Sequence, residues 1–470
     1  MNIHPTVKEV TAIFTQAGKQ VFLVGGAVRD LLRGRKSKDW DLATDAKPEE
    51  VIALFQKRKT GPGGEKQKPF FRSFVVPTGI KHGTVTVHFR DLIMEVTTFR
   101  SESSYSDGRH PDKVEFGNSI EADLSRRDFT MNAAAYMLPS GPLIDPYDGH
   151  ADIKRSLIRC VGKPEERFSE DGLRPVRAMR FASQLGFSVD EKLLSAIPDS
   201  LGYTSMVAPE RIRDELDKII ETDNPSTALL LMEKTELLKL LIPELAACRG
   251  IMQDRINGMG FHRFDVLDHS LMSCDFAARE KASHELRLAA LFHDIGKPKT
   301  GQIDKDGWRT FYRHEKESSL LSRQILLRFR YPNAVINKVC HLVEEHMFNY
   351  DESWTDAAVR RFIIRAGEEN LGDLYVLRRA DVFGMAGEEP PRTLLLPLAK
   401  RVEKILAQSR ALSLKDLAVS GKDLLAMDIH QGKRIGIILN ELLEAVLDDP
   451  ALNTKEKLLE ITEKISSRYR

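Results

Sequence analysis

Two aspartates and two glycines near the amino end carry the first chemistry legible in this chain. Asp39 and Asp41 stand two residues apart in DWDLAT, so on a strand their carboxylates emerge on one face. Upstream, VFLVGGAVRD reads as a short apolar strand over 21–24, a Gly25-Gly26 turn, and a helix from about residue 27 that carries Arg29. Glycines lack Cβ atoms, so the backbone can approach a bulky anion, and the free N–H groups at a helix start favour negative charge. Paired carboxylates beside such a cradle predict bound Mg²⁺, which takes oxygen ligands and shares its other positions with substrate phosphates. The chemistry that fits is two-metal nucleotidyl transfer. No Lys-Ser or Lys-Thr follows the glycines and the Rossmann spacing is absent, which excludes both of those nucleotide-binding loops. Glu95, in a strand expected near 92–99, is either a third carboxylate beside the pair or a solvated strand position.

Further along, Arg126, Arg127 and Asp128 are expected to open an apolar helix, where two arginines can fork onto phosphate or ribose oxygens. Asp171, Arg174, Arg177 and Arg180 fall at three-residue spacing in EDGLRPVRAMRF and are expected to trace a drifting stripe on one helix. A fixed arginine and carboxylate offer donors and acceptors to a base edge, as well as being able to pair with each other. The motifs GGAVRD, DWDLAT, RRDFTMNAAAY, DPYDGHADI and EDGLRPVRAMRF, in that order, resemble the bacterial class II tRNA nucleotidyltransferase and poly(A) polymerase family of the DNA polymerase beta superfamily. The resemblance implies CTP and ATP as substrates and the 3′ end of tRNA as acceptor. It also implies that Gly25, Gly26 and Arg29 hold the triphosphate, and that Asp171 and Arg174 select the base. In the family, a loop at the place of residues 101–116 is linked to the switch from C to A addition, and enzymes that add only CC tend to lack it. Full CCA addition is therefore the expectation, with A-only addition or poly(A) synthesis as alternatives that share every motif.

A second constellation lies downstream: His269, His293-Asp294, His314, His346 and Asp381. Imidazole and carboxylate ligands together suit a divalent transition metal. The pattern resembles an HD domain, with His269, His293, Asp294 and Asp381 for one ion and His314 and His346 able to support a second. Such a domain implies either a phosphohydrolase acting on RNA ends or cyclic phosphates, or a retained structural site. Lys297 is either a phosphate contact or a solvent-facing side chain.

The elements that must position these groups make an α+β chain. A mixed-sheet nucleotidyltransferase head over 1–150 is followed by all-α parts: a nucleotide-recognition and RNA-binding region over 151–250, the HD domain over 251–395, and a tRNA-binding tail over 396–470. At 470 residues one core is too few. Lys plus Arg number 70 against 69 Asp plus Glu, so any grip on nucleic acid must come from local clusters rather than overall charge. In the tail, Lys415, Lys422, Lys433 and Arg434 either touch the acceptor stem or simply face solvent. Cys160, Cys248, Cys274 and Cys340 form no CxxC pair and read as buried residues of a reducing compartment. No signal pattern or bilayer-length apolar run is evident, so a cytoplasmic protein without membrane contact is expected. The Gly- and Lys-rich stretch 57–68 reads as a loop with no assigned role.

Overall fold

The computed structural model describes residues 3–37, 39–56, 73–80, 83–103, 113–117, 119–254, 262–408, 413–429 and 432–466. Two compact units divide the chain, Met1–Pro243 and Glu244–Arg470. The 57–68 stretch lies outside the described residues.

The first unit is built on a mixed sheet. Its strands are β1 (Val21–Val24), β2 (Trp40–Thr44), β3 (Ser73–Gly79), β4 (Thr84–Phe89) and β5 (Leu92–Thr98), then, beyond the separate hairpin of β6 (Arg100–Ser103) and β7 (Lys113–Phe116), β8 (Ala135–Met137) and β9 (Leu143–Ile144). The order is β3-β4-β5-β2-β1-β8-β9. Only β2 and β5 run parallel; the other neighbours are antiparallel. Alternation puts Val85, Val87, Phe89, Met94 and Val96 on one face, where they pack with Phe14, Val51 and Phe55 from helices Pro5–Gln16 and Pro48–Gln56. The opposite face is covered at the β1, β2 and β8 end by a smaller cluster that includes Phe22, Val24, Ala43, Phe99 and Leu124.

Three local expectations give way here. The 101–116 stretch begins and ends in the paired strands β6 and β7, each four residues long and too short to stand out in a polar sequence; residues 104–112 lie outside the described residues. Arg126, Arg127 and Asp128 follow a helix instead of opening one. That helix, Ile120–Ser125, is capped by the Ser119 side chain and ends at Arg126, and the apolar run beyond becomes a single 3₁₀ turn and strand β8. Asp171 is not on the arginine helix either. Helix Pro164–Glu170 stops at Asp171, and Arg174–Leu185 begins anew with Pro175 in its first turn, where a missing N–H costs nothing. Gly172 makes the break possible, because a Cβ there would lie 2.2 Å from the Tyr203 carbonyl oxygen.

The second unit is helical. Val266–Arg279, His284–Phe292, His314–Arg328, Asn333–Glu345 and Leu371–Ala386 bring together every histidine and aspartate of the second constellation. A separate apolar cluster of Val419, Leu424, Ile438, Leu442 and Leu458 holds the C-terminal helices. Among the described residues no helix is long and apolar enough to cross a membrane.

Candidate active site

Strand register assembles the first site. Asp41 pairs with Glu95 across β2 and β5, so the two carboxylates stand side by side on the face left open beside the smaller cluster. Gly25 has φ +65°, a conformation glycine adopts without strain, and a Cβ there would come within 3.2 Å of both Asp41 Oδ2 and Arg127 Nη1. The turn, the carboxylate and the arginine therefore meet. Burial, then the charge of Glu95 and in smaller part that of Asp39, push the Asp41 carboxyl up to about 6, against the pull of Arg127 and Arg29. Three mutually repelling carboxylates in an all-oxygen set fit a hard divalent cation, which would relieve that repulsion.

The arginines around this site are held by specific partners. Arg29 is buried, donates from Nη1 to Asn132 Oδ1 at 3.0 Å and pairs with Asp30. Buried Asp123 clamps both Arg126 (2.7 Å) and Arg127 (3.1 Å). Asp128 accepts two bonds on Oδ2 from Arg177, at 2.9 and 2.7 Å, and one on Oδ1 from the Phe129 N–H. Although burial opposes it, Arg177 holds the Asp128 carboxyl down at about 2. Arg180 pairs with buried Glu215 and its guanidinium lies 3.7 Å from the Phe181 ring centre. Asp171 and Arg174, expected as partners, choose others: Asp171 binds Arg211 at 2.8 Å and the Leu173 N–H at 3.0 Å, while Arg174 binds Glu170 and the backbone carbonyls of Arg167 and Arg126.

Sequence reasoning missed Asp123, Asn132, Arg211 as a partner of Asp171, and Glu215 as the counter-charge of Arg180. Only Asp123 left a local signal, standing three and four residues before Arg126 and Arg127, the spacing of helical ion pairs. The other three meet their partners across 35 to 103 residues of chain, beyond any local pattern.

The second site is closed and richer in nitrogen. His269, His293, Asp294, His314, His346 and Asp381 are all buried. His269 Nε2 lies 2.9 Å from His293 Nε2, 3.2 Å from Asp294 and 3.3 Å from Asp381, and Asp294 Oδ1 lies 3.1 Å from His314 and 3.8 Å from His346. The Nδ1 atoms of His293, His314 and His346 each lie 2.7 to 2.9 Å from the carbonyl oxygen three residues earlier. A carbonyl can only accept, so these nitrogens carry the hydrogens and the Nε2 lone pairs point inward. Asp294 Oδ1 and His314 Nε2 make no hydrogen bond despite complete burial, an arrangement that a cation would satisfy. Two overlapping groups, His269-His293-Asp381 and His293-Asp294-His346, are close enough to hold metal. Lys297 is buried and donates to Asp294 and Gln253, both at 2.6 Å, so its ammonium faces the site and not bulk solvent. Burial opposes ionisation of Asp294, yet His293 and Lys297 hold its carboxyl well below the ordinary range.

A mixed-sheet head bearing paired acids beside a Gly-Gly turn, followed by helices and a histidine-aspartate cluster, defines a nucleotidyltransferase joined to an HD domain. Three family models agree: the poly A polymerase head domain matches residues 21–159, the "Probable RNA and SrmB- binding site of polymerase A" matches 186–249, and the HD domain matches 266–386. The CCA-adding enzyme of Lactobacillus johnsonii is 32% identical over 460 residues, 97% of this chain and 95% of the relative. That of Bacillus velezensis is 33% identical over 447 residues, covering 95% and 94%. A crystal structure of the Bacillus stearothermophilus CCA-adding enzyme in complex with CTP superposes with a TM-score of 0.69 at 29% identity, over 99% of each chain. The fold is shared as well with the Thermotoga maritima CCA-adding enzyme complexed with tRNA, at a TM-score of 0.57 and 19% identity over 98% of this chain and 96% of that one. The chain belongs to the CCA-adding enzyme family.

Proposed function

We propose that this protein adds C, C and A to the 3′ end of tRNA from CTP and ATP without a nucleic-acid template, working in the cytoplasm. The observation that carries the reading is the Asp41–Glu95 pairing beside Gly25 and Arg127, a carboxylate cluster at the edge of a glycine-lined approach. Asp39, Asp41 and Glu95 would hold Mg²⁺, which supplies a lowered pKa at the primer hydroxyl and charge stabilisation at the leaving pyrophosphate. Gly25 and Gly26 let the triphosphate approach the backbone, with Arg29 beside them. Arg126, Arg127 and Asp128 frame the nucleotide, Arg127 from next to Gly25 and Asp128 by tying Arg177 to the head. Asp171 and Arg174 present carboxylate and guanidinium to the base, and Arg177 and Arg180 fix the helix on which Arg174 stands. The four-part division at about 150, 250 and 395 assigns recognition to the middle helices and the acceptor stem to the tail.

Incubation with tRNA ending before CCA, or ending in CC, and each labelled nucleotide tests this. C, C and A added in turn is the expected result. A added alone, or long runs of A, would replace it with A-only addition or poly(A) synthesis.

The HD cluster supports a second reading, a divalent transition metal held by His269, His293, Asp294, His314, His346 and Asp381, with phosphohydrolase activity on RNA ends or cyclic phosphates. Its unbonded Asp294 and His314 atoms favour a bound ion. Opening of a 2′,3′-cyclic nucleotide to its phosphomonoester by the metal-loaded protein, and its loss in Asp294→Ala, would establish the activity. No opening would leave the cluster a structural site.

A further inference from the structure

The face of the sheet that carries the carboxylates is covered along only part of its width. At the β1, β2 and β8 end lie Phe22, Val24, Ala43, Phe99 and Leu124. Beyond Glu95, over β3, β4 and β5, the same face is open among the described residues, and its outermost row carries large apolar side chains. Phe74 is 56% exposed and Ile93 60% exposed. Register lines them up: Phe74 pairs with His88, and His88 with Ile93. The Phe74 and His88 rings are stacked, with centroids 4.1 Å apart and planes 11° from parallel. The next row on this face is Val76, Thr86, Glu95 and Asp41. An aromatic strip therefore runs beside the acidic row, two residues away along each strand.

The dimensions suit nucleic acid. Two residues along a strand span about 6.7 Å, and stacked bases rise about 3.4 Å each. Ile93 thus stands about two stacked bases from Glu95, while Phe74, two strands further over at about 4.8 Å per strand, stands about 12 Å from Glu95 and about 16 Å from Asp41. Its chemistry selects which part of a nucleotide could rest there. Phe74, His88, Ile93, Thr86 and Val76 include no lysine or arginine and adjoin Glu95, so a phosphate gains nothing on this strip. A base gains stacking area, whichever base it is, because every base has a π-face. Phe74 also keeps more than half of its surface in water, where a core aromatic would be covered.

We propose that Phe74, stacked on His88 and continued by Ile93, is a base-stacking platform for the terminal nucleotides of the RNA primer. It would hold the bases just behind the growing 3′ end, about 16 Å from Asp41, whichever bases they are. This rests on the nucleotidyl-transfer reading of the carboxylates and adds to it a site for the acceptor strand. The platform is a positioning device, touching the bases and not the reacting atoms.

The test compares Phe74→Ala and Phe74→Trp with the unaltered protein on tRNA ending before CCA, for CTP, and on tRNA ending in CC, for ATP. For Phe74→Ala, the KM for tRNA should rise by about five- to a hundredfold, the range that loss of one base–aromatic contact produces, while the KM for CTP and ATP stays the same. Phe74→Trp should restore the KM, which a merely structural role for this exposed ring would not require. A tRNA ending in CC with 2-aminopurine at the discriminator position should lose fluorescence on binding the unaltered protein and keep it on binding Phe74→Ala. An unchanged KM for tRNA in Phe74→Ala, or an equal rise in the KM for CTP, would overturn the platform while leaving the transfer reading intact. Failure of the unaltered protein to extend tRNA at all would remove both.

Discussion

The two acidic clusters of this molecule are built on opposite plans. In the head, Asp41 and Glu95 lie on the open face of a sheet with Asp39 just ahead of β2, the set offers only oxygen, and burial with the charges of Glu95 and Asp39 lifts the Asp41 carboxyl to about 6. In the second unit, four histidines and two aspartates are sealed in a helix bundle, three of the imidazoles are oriented by backbone carbonyls, and Asp294 is held ionised by His293 and Lys297. Were Mg²⁺ held by the first arrangement, three carboxylates would leave much of its octahedral shell for substrate phosphate oxygens. The second has its ligand set already in place. An open face lets a large acceptor come and go; a closed cluster of this kind would retain an ion once bound.

The contrast breaks first if the two sites depend on each other. Asp41→Ala should lower incorporation from CTP and from ATP alike by more than about a thousandfold, the scale on which charge stabilisation at phosphoryl transfer acts. The metal content of the second unit, read by elemental analysis, should not change. Residual incorporation of either nucleotide near the normal rate would refute the assignment of Asp41.

Next in size is the ion pair that joins the head to the arginine helix. Arg177→Ala leaves the buried Asp128 carboxylate without its main counter-charge, and the expected loss is about 3 kcal/mol in urea unfolding, at the low end for buried pairs because Arg177 is partly in water. The pH dependence has a definite sign. Asp128 titrates at about 2 in the folded protein and near 3.9 when unfolded, so its stabilisation is complete above about pH 4 and is lost as pH falls toward 2. Arg177→Ala should remove that slope. An unaltered acid limb would mean that other carboxylates dominate it.

The closed site supplies the third case. If an ion resides there at about a hundred times its dissociation constant, chelation should cost about 2.7 kcal/mol of stability. Asp294→Ala should abolish the response to chelator, and addition of C and A should persist in the variant when Mg²⁺ is present. Loss of tRNA extension in parallel with loss of the metal would mean that the two clusters act as one system.

Legibility followed the same divide between local and long-range. The Gly25-Gly26 turn with Asp39 and Asp41, and the four histidines and two aspartates of the second site, stand out in the sequence because features common singly occur together in order. The strands Thr84–Phe89 and Leu92–Thr98 show through their alternation. What escaped depended on short elements and distant partners. Ile120–Ser125 is six residues long, too short for a periodicity, and the break at Asp171 to Leu173 was signalled only by Gly172 and Pro175. The stacked pair of Phe74 and His88 needed strand register, which the sequence does not print.

The smallest expected effect asks whether Asp171 belongs to the open site or to the framework. Its side chain is held by Arg211 at 2.8 Å and by the Leu173 N–H at 3.0 Å, with both side chains of the ion pair about one-fifth exposed. Such a pair is worth about 1 kcal/mol or less, so Arg211→Ala should change the fold little. If Asp171 reads the base, loosening it should reduce the preference for C over A on tRNA lacking CCA by about fivefold, the factor that 1 kcal/mol gives. Arg211→Lys, which keeps one donor near Asp171, should recover part of that preference. A variant with normal selectivity but a lowered melting temperature would place Asp171 in the framework, oriented by its own turn, and would leave base choice to Arg174.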